Sequence, residues 1–78
     1  MATKKEVLEQ ALRGEGCLGR AADDEPVFVL RAQDVFAAGL VNAWAGEAGG
    51  VGCPPEKVEE AHKLATQMRK WPTHKYPD

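Results

Sequence analysis

Alanine supplies much of the apolar content of this chain, and that limits what the chain can bury. Hydrophobic residues make up 44% of the 78, but twelve of them are Ala and none is Ile. Twenty large apolar side chains remain, from Met1 and Val7 through Trp71 and Tyr76. Fully burying one of these contributes roughly 1.5–3 kcal/mol, against roughly 1.5 kcal/mol of ordering cost for every fixed residue. Such a chain sits at the margin of independent stability, where a disulfide, a metal or self-association makes up the difference. The length allows a single domain and excludes a barrel or a full dinucleotide-binding sheet.

Formal net charge is -2, from ten Lys+Arg and twelve Asp+Glu. So balanced a chain is not drawn strongly onto nucleic acid or acidic lipid. No run of 18 apolar residues is present to span a membrane. The stretch after Met1-Ala2-Thr3-Lys4-Lys5 is polar, unlike a secretory leader. A cytoplasmic location follows as the expectation, with Cys17 and Cys53 as free thiols packed like small hydrophobes. A Cys17–Cys53 bridge is the alternative, since both lie near glycines.

Local patterns point to an all-α chain of three or four helices with a Gly-rich connector. Thr3 and Glu6 fit a capping box, and Val7, Leu8, Ala11 and Leu12 make one apolar stripe. Gly14 suits a left-handed cap, so the first helix is placed at about residues 4–13. Residues 14–26 read as connector, pinned by Leu18. The run Val27-Phe28-Val29-Leu30-Arg31-Ala32 has strand-like composition but no partner run in the chain. A helix over 26–32, capped by Asp23 or Asp24, is the preferred reading. A short strand paired across subunits, giving an α+β fold, is the alternative. Asp34 reads as the N-cap of a helix over 35–48, stopped by Gly49-Gly50. Pro54 and Pro55 open a helix over 54–70, with Glu56, Glu59 and Glu60 near its positive end and Arg69 and Lys70 near its negative end. Residues 71–78 form a Pro-rich tail whose Trp71 and Tyr76 fold back over the core.

No motif carries a strong chemical signal. Gly14-Glu15-Gly16-Cys17-Leu18-Gly19 matches G-x-G-x-x-G, a string that cradles phosphate between a strand and a helix. Here a helix precedes it and an acidic turn follows, so a flexible connector is expected. Cys17, Cys53, His62 and His74 are separated by 35, 8 and 11 residues, unlike the short paired spacings of structural zinc. No metal and no cofactor is expected. A Cys–His pair has no orienting group beside it, Ser is absent, and Thr3, Thr66 and Thr73 are scattered. The chain is read as non-enzymatic. Asp23-Asp24-Glu25 lacks the alternating ligands of a calcium loop and reads as a solvated turn.

Charge divides unevenly. Residues 1–60 hold six basic and eleven acidic residues, while 61–78 hold four basic and one acidic. The basic, aromatic C-terminal end could meet a nucleotide by stacking and charge, or the acidic part of another copy. No helix carries a row of Lys/Arg on one face, so duplex nucleic acid is not an expected partner.

More apolar surface is present than a small domain hides, and such surface usually marks an interface. The expected function is protein interaction, as a homo-oligomer, an adaptor or an inhibitor. Phe28, Leu30, Phe36, Leu40, Trp44 and Trp71 are the residues expected to carry the core and interface. The alternative is a binder of a small anionic ligand or nucleotide, held by Arg20, Arg31, Lys70, His74 and Tyr76. In its make-up, small and Ala/Gly-rich with no catalytic signature, the chain resembles accessory proteins of bacteria and their phages. That likeness is one of style and assigns no residue a role.

Overall fold

A computed structural model describes residues 3–76. The chain is mostly helical: α1 is Lys4–Leu12, α2 is Gly16–Arg20, α3 is Ala37–Gly50 and α4 is Pro55–Lys70. Among the described residues no strand forms, and the one isolated bridge joins Asp34 to Lys75 in parallel. No described helix is long and apolar enough to cross a membrane. α1 packs against α2 and α3 against α4. No helix of either pair touches a helix of the other.

Local chemistry accounts for the start of α1. The Thr3 hydroxyl oxygen accepts from the Glu6 backbone N–H at 3.2 Å, and the same hydroxyl donates to the Glu6 carboxylate at 3.0 Å. The helix ends in a Schellman turn. Glu15 N–H donates to the Gln10 carbonyl at 2.8 Å and Gly14 N–H to the Ala11 carbonyl at 3.0 Å. Gly14 takes the left-handed conformation at φ +69° that this turn requires. α3 ends the same way. Cys53 N–H donates to the Ala48 carbonyl at 3.0 Å and Gly52 N–H to the Gly49 carbonyl at 3.2 Å, with Gly52 at φ +87°. Two helical hairpins thus turn on the same device.

Three expectations are corrected. Residues 14–26 are not all connector, because 16–20 form the short α2 folded back on α1. Residues 26–32 form neither helix nor strand. Pro26 biases Glu25 toward extended backbone, and no edge within the chain is available to pair with. Asp23 and Asp24 cap nothing there. Instead the Glu25 carboxylate accepts from the Ala22 N–H at 3.1 Å, closing a turn. The third correction concerns α3. It begins at Ala37 and runs through Gly49-Gly50 to a stop at Gly52. Asp34 caps an earlier turn, its carboxylate accepting from the Phe36 N–H at 2.8 Å while its carbonyl accepts from the Ala37 N–H at 3.1 Å.

α3 and α4 meet on a seam of small residues. The buried hydrophobics are Ala37, Ala38, Ala45, Ala48 and Ala65, and no large side chain is fully enclosed. Val41, Val58, Leu64 and Met68 are half-buried beside them. A Cβ built on Gly49 would stand 3.8 Å from the Val58 methyls, so the two helices pass there with room for about one methyl group between them. His62 Nδ1 and Asn42 Oδ1 lie 2.8 Å apart across the hairpin, with the ring nitrogen donating to the amide oxygen. The tail is tied down by main-chain bonds, Val35 N–H to the Lys75 carbonyl at 3.1 Å and Lys75 N–H to the Gln33 carbonyl at 2.7 Å.

An alanine seam leaves much surface open. The chain exposes 6347 Å², where a compact chain of its mass exposes about 4,600 Å². Its radius of gyration is 13.3 Å, against about 11.5 Å for a compact domain of this length.

Candidate functional site

The most prominent surface is apolar and centres on the start of α3. Residues 28–36, the first turn of α3, the end of α4 and His74 of the tail surround an open groove of about 890 Å³. Phe28, Leu30, Ala32, Val35, Phe36, Ala38, Gly39, Leu40 and Met68 line it, with Asp34, Arg69 and His74 as its only charged or titratable members. Tyr76 stands edge-on to Phe36, with ring centroids 6.0 Å apart.

The exposure of the large side chains follows from the helix period. On α3 the residues facing α4 are small, and the large ones at Phe36, Leu40 and Trp44 recur every fourth position on another side. They are 52%, 51% and 56% exposed. Phe28 is 84% exposed on a segment with no hydrogen-bonded partner, and Trp71 is 54% exposed beyond α4. Leu30 is half-buried. Of the six residues expected at an interface, Phe28, Leu30, Phe36 and Leu40 come together around the groove, while Trp44 and Trp71 lie outside its lining. None of the six forms a closed core. Val35, Gly39, Met68 and Arg69 also line the groove, and the sequence did not single them out as surface residues. Met68 sits on the inner stripe of α4, so period alone assigns it to the seam.

Of the five residues considered for an anionic ligand, His74 lines the groove and Tyr76 stands beside it against Phe36. Arg20 ends α2, while Arg31, between the lining residues Leu30 and Ala32, and Lys70, next to the lining Arg69, are exposed. His74 Nε2 donates to the Met68 carbonyl at 3.0 Å, which also accepts from the Trp71 N–H at 3.2 Å at the end of α4. Arg69 and Lys70 occupy the same last turn. These groups are placed to neutralise the negative end of a helix.

The G-x-G-x-x-G string has a structural explanation. Gly14 and Gly16 lie at φ +69° and +71°. A Cβ on Gly19 would come within 2.8 Å of the Gly14 carbonyl carbon. All three glycines are used in folding α2 onto α1. Cys17, exposed on α2, and Cys53, half-buried in the α3–α4 turn, are both free thiols. Among the described residues no group of three His, Cys, Asp or Glu is placed to hold a metal ion. No family of known proteins matches the chain, and neither a curated protein nor a solved structure matches it.

Proposed function

We propose that this chain is a non-enzymatic protein-interaction module, working through the apolar face formed by the start of α3, the segment before it and the end of α4. One observation carries the reading: every buried residue is an alanine, while Phe28, Phe36, Leu40, Trp44 and Trp71 stand more than half exposed. A soluble monomer rarely leaves a contiguous face of large apolar groups uncovered unless something is to cover it. The roles open to such a module are a homo-oligomer, an adaptor or an inhibitor. The reading of a small anionic ligand draws less support, because Arg20 lies on α2, which is no part of the groove lining, and Lys70 and His74 sit at the negative end of α4.

Sedimentation combined with an apolar fluorescent dye tests the proposal. The expected result is an associated chain, or a monomer that binds the dye strongly through this face. A chain that stays monomeric when concentrated and leaves the dye dark would overturn it.

A further inference from the structure

Residues 25–31 run without a turn or a bend, and none of them has a positive φ. Phe28, Leu30 and Ala32 line the groove, while Val27, Val29 and Arg31 do not. That is the two-residue period of an extended strand, one side of which lies over the start of α3 and the end of α4. Three of the four residues from Val27 to Leu30 are β-branched or aromatic, the types that suit a pleated strand. What the run lacks is a neighbour. Among the described residues, no hydrogen bond is made by the backbone N–H or carbonyl of Val27, Phe28, Val29 or Leu30. Val27, Phe28 and Val29 are 57%, 84% and 75% exposed. Open strand edges are ordinarily shortened, charged or covered, and another extended backbone is what supplies the matching row of donors and acceptors.

We propose that the run from Val27 to Leu30 pairs antiparallel with the same run of a second copy, about a twofold axis at Phe28. The inference rests on the interaction reading above and names its partner. Two features select a second copy over another protein. The first is charge. Asp23, Asp24 and Glu25 precede the run and Arg31 follows it. Antiparallel pairing about Phe28 sets Glu25 opposite Arg31 of the second copy at both ends, so the run is complementary to itself, as a twofold contact requires. Arg31 makes no ion pair among the described residues. Glu25 holds the Ala22 N–H through Oε1 and has its other carboxylate oxygen left for Arg31. The second feature is Pro26. With Phe28 at a non-hydrogen-bonded position, the ladder bonds fall at Val27 and Val29. Pro26 then falls where no N–H is called for. Two strands alone make a marginal ribbon, but here the Phe28 and Leu30 side of each lies over a pair of helices.

The test is amide exchange of the full chain, read residue by residue by NMR, with sedimentation equilibrium at about 0.1 mM, circular dichroism and dye binding alongside. The expected result is a dimer in which the Val27 and Val29 amides exchange slowly and that of Phe28, between them, exchanges fast. Val29→Pro removes an N–H that bonds to nothing within the chain, so helicity should hold while association weakens about 100-fold. Arg31→Glu sets like charges opposite each other and should weaken association about tenfold, and Glu25→Arg made alongside it should restore the loss. Exchange in the unaltered chain keeps the test decisive if a variant fails to fold. A dimer that leaves Val27 and Val29 unprotected, or that is insensitive to Val29→Pro, overturns the inference, because another surface then makes the contact. A monomer that binds the dye also overturns it but leaves the interaction reading standing. A monomer that binds no dye overturns both.

Discussion

The two helical hairpins use the same turn and differ in everything built upon it. Each reverses through a Schellman motif with a glycine at positive φ, Gly14 in one and Gly52 in the other. α1 and α2 bury no residue, whereas α3 and α4 contain all of the buried alanines. The reason is length and residue size. α2 has five residues and cannot lay a continuous face along α1. α3 and α4, at 14 and 16 residues, run several turns side by side. Small residues along their seam let the helix axes approach closely, and that approach turns the larger side chains of α3 outward. Cap and turn chemistry therefore suffices to form a hairpin, while stability comes from the length of the seam. Local opening should follow the same division, with the α1–α2 pair at the low-stability end.

Substitutions at the seam should have the largest effect. Ala45→Leu introduces a large side chain where the native residue is wholly enclosed, and should destabilise the fold by about 1–3 kcal/mol. Denaturant unfolding followed by Trp44 fluorescence measures this. A variant as stable as the parent would show that α3 and α4 are not closely packed there.

The paired turn glycines sharpen the contrast. Gly52→Ala and Gly14→Ala impose the same left-handed conformation on a residue with a Cβ, at a cost of roughly 1–2 kcal/mol each. Gly52→Ala should lower the global unfolding midpoint by that amount. Gly14→Ala should leave the midpoint nearly unmoved and instead speed amide exchange in α1. Equal shifts of the midpoint would mean that the two hairpins unfold as one unit.

The smallest effect is expected at Thr3. Thr3→Ala removes the acceptor for the Glu6 N–H and should weaken α1 by about 1 kcal/mol. The change would appear as fraying of the first turn by amide exchange, with no change in the exchange of α3 or α4. Loss of protection in α3 would reveal coupling between the hairpins.

Much of this fold is legible from residue patterns, because two of its helices, α1 and α4, are locally specified. Thr3, Glu6 and Gly14 bracket α1 within a residue of the expected span, and Pro55 and Trp71-Pro72 bracket α4. Elsewhere local cues compete. Asp34 is a good N-cap, but it caps a separate turn and Val35 bonds to Lys75, so the helix begins two residues later than expected. Gly49-Gly50 look like a stop, yet both are helical and the left-handed turn comes at Gly52. The run from Val27 to Leu30 has strand composition and no partner, and it ends as irregular chain.

By itself, the sequence determined that the chain is mostly helical, where α1 and α4 begin and end, and that its apolar content is too small and too alanine-rich for a closed core of large side chains. Those are properties of neighbouring residues and of composition, and no distant contact alters them. Only the tertiary structure decided which apolar residues face inward. Leu40 and Trp44 belong to the same amphipathic pattern as Ala37 and Ala48, and the period alone does not rank them. The seam of α3 and α4 encloses only alanines completely, half-covers Val41, Val58, Leu64 and Met68, and leaves Phe36, Leu40 and Trp44 on the surface.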